Sequence, residues 1–257
     1  MSLPILTEAD LDDDAIDDDE PIDAPKAVLI TGAAGNIGRK LIAAWADRYD
    51  LTLVDLHDAG DEHIAVADLS TFDPDWVDLF EGIDVVVHLA GNPDAEAPWS
   101  AVVGPNLDAT AHVLNAAALG GVERVVFASS NHAMGGYRPL DGPIHEGLPP
   151  LPDGDYGASK LAGERLGIAL ADAFDLTFVA LRLGWNRAGD NPPEGMPDPW
   201  SRALWLSNGD LVRVFTAAVE APLDEGESVV ANAMSANPGS RWDLAVARDR
   251  LGYVAQD

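Results

Sequence analysis

Tyr156 and Lys160 are four positions apart in the stretch Tyr-Gly-Ala-Ser-Lys, so on a helix their side chains share one face. A free tyrosine has a pKa of about 10 and is a poor base at neutral pH. A neighbouring ammonium favours the phenolate, so this pair could remove a proton from a hydroxyl group. Ser130, at the end of an apolar stretch, could hydrogen-bond the same oxygen. The spacing also arises by chance in surface pairs, and its context must decide between the two.

A glycine turn lies upstream of this pair. Residues 27–39 read A-V-L-I-T-G-A-A-G-N-I-G-R, which predicts a strand, a tight turn and the start of a helix. Such a turn lets the backbone approach a pyrophosphate, which the N–H groups at the helix N-terminus attract. An ordinary turn between a strand and a helix is the alternative. The context predicts a dinucleotide site formed by Gly32, Gly35, Asn36, Ile37 and Gly38.

An acidic residue, Asp55, ends the predicted second strand. A carboxylate there accepts hydrogen bonds from a ribose 2′-hydroxyl and repels a 2′-phosphate, so NAD is predicted rather than NADP. Arg39 is a counter-signal, because an arginine after the last glycine can hold a 2′-phosphate. A solvated strand end is the alternative for Asp55. Residues that follow the third and fourth strands are also expected to contact the cofactor, namely Asp68, Leu69, Leu89, Ala90 and Gly91.

Strand and helix patterns alternate along the chain, which predicts an α/β fold: a doubly wound parallel sheet (Rossmann fold) with a small C-terminal substrate-binding region. The expected division is an acidic, flexible arm at 1–25 and a single domain at 26–257, with the substrate region mainly at 184–257. An arm ordered on a neighbouring subunit is the alternative for 1–25. Ligands of such sheets bind beyond the carboxyl ends of the strands, where these polar residues fall. One predicted helix, at about 99–119, contains Asn106, which could hold a water or a helix bend.

The composition restricts the partners. The 257 residues include no Cys and carry a formal net charge of −29, so nucleic acid and anionic membranes are not expected partners. The absence of a signal peptide or membrane span predicts a cytoplasmic protein. The acidic excess runs along the whole chain, which favours a protein of a high-salt cytoplasm over an ordinary enzyme with an acidic tail. The histidines show no metal-binding spacing, so no metal is expected.

Taken together, the motifs resemble the extended short-chain dehydrogenase/reductase (NAD-dependent epimerase/dehydratase) superfamily over about residues 27–252. They are T-G-A-A-G-N-I-G, Asp55, Asp68-Leu69, H-L-A-G, Ser130 and Y-G-A-S-K. The resemblance implies that Tyr156 is the catalytic base, Lys160 its activator and a ligand of the nicotinamide ribose, and Ser130 the group that orients the substrate. Tyr156 is expected to contact the cofactor as well. A dimer through paired helices would fit this superfamily.

Within this superfamily, F-A-S-S-N-H, L-R-L-G and W-L-S are similar to uronate dehydrogenases and, more so, to haloarchaeal NAD-dependent glucose-6-phosphate dehydrogenases. That similarity implies oxidation of the C1 hydroxyl of a hexose to a lactone, with Asn92, Asn131 and His132 at the sugar. Pro93 and Trp185 replace serines that bind substrate in uronate dehydrogenases. Binding of a phosphate or carboxylate would then fall to Arg187 and Arg202, with Arg138 as a weaker candidate.

Alternatives remain open at this stage. His132 could cap a loop, the arginines could be surface charges, and the tryptophans could be packing residues. An epimerase or dehydratase acting on a nucleotide-linked sugar uses the same three catalytic residues, and a non-catalytic dinucleotide sensor keeps the fold. The short C-terminal region disfavours a nucleotide-sized substrate, and the presence of both Tyr156 and Lys160 disfavours the sensor.

Overall fold

The structure, a computed structural model, describes residues 24–257. The arm predicted at 1–25 therefore lies, apart from Ala24 and Pro25, outside the described residues. In the part of the chain that is described, no helix is long and apolar enough to cross a membrane.

Seven parallel strands form one sheet. In chain order they are β1 (Ala27–Thr31), β2 (Asp50–Asp55), β3 (Ile64–Val66), β4 (Val85–His88), β5 (Arg124–Ser130), β6 (Thr177–Leu183) and β7 (Ser228–Ala233). Their order across the sheet is β3-β2-β1-β4-β5-β6-β7, with every neighbouring pair parallel. The predicted doubly wound parallel sheet is confirmed.

Helices cover both faces of the sheet. They are α1 (Asn36–Trp45), α2 (Pro74–Val77), α3 (Trp99–Val102), α4 (Ala109–Gly120), α5 (Gly154–Phe174), α6 (Pro199–Ala203), α7 (Asn208–Glu220) and α8 (Ala245–Leu251). The single helix predicted at 99–119 is interrupted, because a π-helical segment at 103–108 separates α3 from α4. Short 3₁₀ turns occupy Asp78–Phe80, Asn131–Tyr137 and Pro193–Gly195.

The strands alternate their side chains between two apolar cores. Val28 and Ile30 of β1 pack on the face covered by α1, α7 and α8, whereas Leu29 packs on the other face with Phe127 and Phe178. β4 and β6 are buried along their whole length and most of their side chains are apolar, as is usual for parallel strands covered on both faces. This packing fixes the carboxyl ends of β1, β2, β4, β5 and β6 side by side.

Candidate active site

One large cavity, of about 1340 Å³, opens at the carboxyl edge of the sheet. Its wall includes every residue predicted above to bind the cofactor or to catalyse, together with Asn92, Asn131 and His132. Parallel strands end at the same sheet edge, so residues far apart in the chain meet there. Of the predicted C-terminal substrate region, the segment 184–204 contributes lining residues, namely Gly184, Trp185, Asn186, Trp200, Ser201 and Leu204.

The glycine turn after β1 makes room for a ligand backbone. Gly32 has a φ of +72°, and a Cβ placed there would lie 2.7 Å from the backbone nitrogen of Ala90. A Cβ at Gly38 would lie 2.5 Å from the carbonyl oxygen of Gly32. No side chain caps the N-terminus of α1, and its first turn contains no acidic residue. The N–H groups of that turn therefore suit the pyrophosphate of a dinucleotide.

The adenosine end of the cavity is acidic. One carboxylate oxygen of Asp55 accepts a hydrogen bond from the N–H of Ala34 at 2.9 Å, and the residue lines the cavity. Asp68 also lines it and accepts hydrogen bonds from Ser70. Arg39 is exposed, and its Nε donates a hydrogen bond to the carbonyl of Ala34 at 2.7 Å. It is not one of the residues that line the cavity. This end fits an adenosine ribose better than a 2′-phosphate.

Asn106 ties the backbone after β4 to α5. Its side-chain oxygen accepts a hydrogen bond from the N–H of Asn92 at 2.7 Å, and its amide donates to Ser159 Oγ at 3.0 Å. A Cβ at Gly91 would lie 2.9 Å from this oxygen. Asn106 is buried within the π-helical segment, so the predicted role in a helix bend is consistent with where it lies.

Ser130, Tyr156 and Lys160 meet in the middle of the cavity wall. Ser130 is the last residue of β5, and the other two lie on successive turns of α5. Lys160 is 5% exposed, and its Nζ lies 5.9 Å from the centre of the Tyr156 ring and 5.1 Å from that of Phe127. The arrangement provides an acid–base group, an adjacent cation and an orienting hydroxyl.

Burial controls the ionisation of this group in the protein alone. It raises the pKa of Tyr156 above its ordinary value, and a hydrogen bond with the Ser130 hydroxyl opposes that shift. Burial also lowers the pKa of Lys160 to about 8. The expected lowering of the Tyr156 pKa by the ammonium is therefore not found, and burial of the phenol outweighs the hydrogen bond with Ser130.

His88, which the motif H-L-A-G contains but which was not assigned a role, lies beneath the site. Its Nδ1 is 2.7 Å from Thr31 Oγ1 and its Nε2 is 3.1 Å from Thr110 Oγ1. Burial, and next the charge of Lys160, lowers the pKa of His88 to about 3. The imidazole is therefore neutral and joins β1, β4 and α4 as a hydrogen-bonded tie.

The three polar residues predicted at the sugar differ in the hydrogen bonds that their side chains already make. The amide of Asn92 donates to the carbonyl of Ala101, and its oxygen accepts from Asp94. The amide of Asn131 donates to the carbonyl of Leu183 at 3.0 Å. His132 Nδ1 lies 2.8 Å from a carboxylate oxygen of Asp153, which also lines the cavity and was not predicted.

The two preferred arginines lie outside the cavity wall. The guanidinium of Arg187 is bound to the carbonyls of Gly195 and Pro192, and Arg202 is an exposed residue of α6. Neither lines the cavity, whereas Arg138 does. The segment 184–206 that carries both arginines is held by its own hydrogen bonds, such as Trp185 N–H to the carbonyl of Leu204 at 2.7 Å.

Arg138 and Lys160 are the two Lys or Arg residues among the described lining residues. The Arg138 side chain is 57% exposed, and a guanidinium nitrogen lies 3.6 Å from a carboxylate oxygen of Asp198. Its guanidinium carbon lies over the Trp200 ring, 5.9 Å from the ring centre. Within residues 24–257, no group of three or more His, Asp or Glu side chains could hold a metal ion.

Known proteins of related sequence extend this picture. The model described as the NAD dependent epimerase/dehydratase family matches residues 28–199. The L-arabinose 1-dehydrogenase (NAD(P)(+)) of Haloferax volcanii is 36% identical over 246 residues, covering 90% of this chain and 96% of that enzyme. The NAD-dependent glucose-6-phosphate dehydrogenase of the same organism is 36% identical over 249 residues, covering 90% and 93%.

Solved structures agree with the sequence relatives. A mutant uronate dehydrogenase from Agrobacterium tumefaciens complexed with NAD is 31% identical, with a TM-score of 0.76, over 91% of this chain and 86% of that one. The predicted family and its NAD cofactor are confirmed. The chain belongs to the NAD dependent epimerase/dehydratase family.

Proposed function

We propose that this protein is an NAD-dependent oxidoreductase that oxidises the C1 hydroxyl of an anionic hexose to its lactone, with Tyr156 as the base. The observation that supports it most is that one cavity contains the glycine turn, Asp55 and the group Ser130–Tyr156–Lys160. The sugar dehydrogenases among its relatives support the same reaction class.

The chemistry follows from the side chains. Tyr156, as the phenolate, takes the proton of the C1 hydroxyl, while Ser130 hydrogen-bonds the same oxygen and holds it in place. The Lys160 ammonium, which is 5% exposed, stabilises the phenolate electrostatically. NAD, when bound, supplies the hydride acceptor, so C1 becomes a carbonyl carbon. The turn at 32–38 would hold its pyrophosphate, Asp55 its adenosine ribose and Lys160 its nicotinamide ribose.

Glucose 6-phosphate is the first candidate substrate, and a hexuronate is the second. Both carry an anion away from C1, and Arg138 is placed at the wall to meet one. Its guanidinium is held on Trp200 and near Asp198, so an anionic substituent would compete with that carboxylate for it. Arg138 thereby replaces Arg187 and Arg202 as the anion-binding residue that we propose.

A panel assay tests this proposal. NADH formation is measured in concentrated KCl with glucose 6-phosphate, glucuronate, galacturonate and free glucose. We expect glucose 6-phosphate to react best, and Arg138→Ala to raise its KM by about 10-fold with little change in KM for NAD. Arg202 is an exposed arginine outside the cavity wall, so Arg202→Ala is the matched control. This variant should change neither the KM for glucose 6-phosphate nor the KM for NAD. An equal loss of activity on free glucose would contradict anion recognition by Arg138.

A neutral pentose is a third candidate substrate. It is favoured by the position of Arg187 and Arg202 outside the cavity, and by a relative that is an L-arabinose 1-dehydrogenase. Adding L-arabinose to the panel shows whether the protein oxidises a neutral pentose or an anionic hexose. An epimerase would interconvert sugars without net NADH, and a sensor would bind NAD without turnover.

A further inference from the structure

Asp153 occupies the N-cap position of α5 but does not cap it. An aspartate at that position commonly accepts a hydrogen bond from an N–H of the first helical turn. Here the side chain makes no such bond, and one carboxylate oxygen lies 2.8 Å from His132 Nδ1 instead. The carboxylate is therefore committed to the histidine at the expense of the helix that carries Tyr156 and Lys160.

The two segments that carry this pair are locked together. The N–H of Asp153 donates to the carbonyl of His132 at 3.1 Å. A Cβ at Gly135 would clash with the carboxylate of Asp153, and a Cβ at Gly157 would clash with the carbonyl of His132. Because neither glycine has a side chain, Gly135 can pack against Asp153 and Gly157 against His132. Both members of the His132–Asp153 pair are therefore held in place by close backbone packing.

The partner determines which imidazole nitrogen carries the proton. A carboxylate can only accept hydrogen bonds, so Nδ1 must be the protonated nitrogen of the neutral ring. Nε2 is then an acceptor, and it has no protein partner within residues 24–257. The imidazole lines the cavity, is 31% exposed and stands edge-on to the Tyr156 ring, with 5.6 Å between ring centres.

We propose that Asp153 is a positioning residue that keeps His132 Nε2 as the acceptor for the 2-hydroxyl of the sugar. This inference rests on the proposed function, in which Tyr156 acts on the oxygen at C1. Because the His132 imidazole lies beside Tyr156, we expect it to contact an atom next to C1 of the sugar. The two ring atoms bonded to C1 are C2 and the ring oxygen. The ring oxygen carries no proton, so an acceptor requires the hydroxyl on C2. The site thus selects 2-hydroxy sugars over 2-deoxy sugars.

Discrimination between substrates is the first test. Wild-type protein is compared on glucose 6-phosphate and on 2-deoxyglucose 6-phosphate, and we expect kcat/KM to favour the 2-hydroxy sugar by roughly 10- to 100-fold. His132→Ala and Asp153→Asn should each reduce that preference to about 2-fold or less, because the hydrogen bond to the 2-hydroxyl is lost. Asp155→Asn is the matched control, because Asp155 lies in the same helical turn and bonds the N–H of Trp99 instead.

A double-mutant cycle shows whether Asp153 acts through His132. The double variant His132→Ala with Asp153→Asn should be no slower than His132→Ala alone. A further loss in the double variant, or a changed affinity for NAD in Asp153→Asn, would overturn the positioning role. Nitrogen NMR of the imidazole needs no substrate: we expect an Nδ1-protonated ring in the wild type and an Nε2-protonated ring in Asp153→Asn, whose amide can donate to Nδ1.

The outcomes separate this inference from the proposed function. If the wild type forms no NADH with any sugar, the proposed function fails, and the NMR result still tests the positioning role of Asp153. If the wild type oxidises the 2-hydroxy and 2-deoxy sugars equally well, the inference is overturned and the proposed function stands. An Nε2-protonated His132 in the wild type overturns the inference in either case.

Discussion

At the scale of single residues, the chemistry depends on a tyrosine and a lysine that the protein removes from water. Lys160 lines the cavity next to Phe127, and burial lowers its pKa to about 8. Burial raises the pKa of Tyr156. The reactive form, with a phenolate beside an ammonium, has lost one proton in total, as has the form with a neutral lysine and a neutral tyrosine. The two groups therefore titrate as a pair.

Replacing Tyr156 by Phe should remove the base and leave the cofactor site intact. We expect kcat to fall by about 10²- to 10⁴-fold, the usual contribution of a positioned acid–base group. The affinity for NAD, measured by calorimetry, should stay within about 2-fold of the wild type, because the phenol is one of many contacts. Tyr137→Phe is the control, since the Tyr137 hydroxyl donates to the carbonyl of Pro149 instead. Turnover that survives in Tyr156→Phe would remove this residue from the mechanism.

The pH dependence of the rate follows from the same pair. The pair loses its first proton near the pKa of Lys160, about 8. Its singly deprotonated form is the reactive one, so kcat/KM should rise with pH through that region and then level off. The slope below it should correspond to one proton. A rate that is constant between about pH 6 and 9 would contradict this assignment, because both groups would then keep their charge across the range.

Spacing alone could predict the pair but not its ionisation. The four-residue separation on a helix identifies which side chains are neighbours. It carries no information about how deeply α5 is buried, and burial decides the pKa of both groups here. Asp153 was missed for a related reason: its partner His132 is 21 positions away in the chain, and no local pattern links the two residues.

At the scale of elements, the turn between β1 and α1 is the part that sequence describes best. Its glycines are required by local geometry, since Gly32 has a positive φ and lies against the backbone of Ala90. The loop at 184–206 is the opposite case. Its path is set by hydrogen bonds such as those of Asn186 and Asn191 to the carbonyl of Leu206, so the position of Arg187 outside the cavity wall has no local sequence signal. The π-helical segment around Asn106 likewise depends on contacts with α5.

Replacing Gly32 by Ala tests the close approach at this turn. The alanine meets both a positive φ and a clash with the backbone of Ala90, so we expect a loss of more than about 2 kcal/mol in the free energy of unfolding. NAD affinity should fall with it. Gly60→Ala separates the two effects, because Gly60 has a φ of +85° and open space around it. That control should lose only about 1 kcal/mol, measured by urea unfolding. Equal losses in both variants would contradict the role of the Ala90 contact.

At the scale of the whole molecule, the net charge of −29 opposes folding unless salt screens it. At molar salt the Debye length is about 3 Å, so carboxylates on the surface repel one another only at contact. The apolar cores on the two faces of the sheet resemble those of any α/β protein. We therefore expect any adaptation to high salt to lie in the charged surface rather than in the cores.

Lowering the salt should weaken both folding and turnover. We expect the midpoint of urea unfolding to fall when KCl is reduced from about 2 M to below about 0.5 M, as screening is lost. Sucrose, added at matched osmolality, is the control and should not replace KCl if screening is the cause. An unchanged midpoint and full activity at low salt would contradict the assignment to a high-salt environment.

In the proposed reaction, the hydrogen on C1 of the sugar leaves as hydride. The most direct measurement uses glucose 6-phosphate with deuterium at C1, or the panel sugar with the highest turnover, and follows the label by NMR in concentrated KCl. We expect deuterium in the NADH that forms, together with a lactone or its hydrolysed acid, and none of either with Tyr156→Phe. Unlabelled NADH would show that another carbon is oxidised, and label retained in the sugar without NADH would show that the protein is not a C1 dehydrogenase.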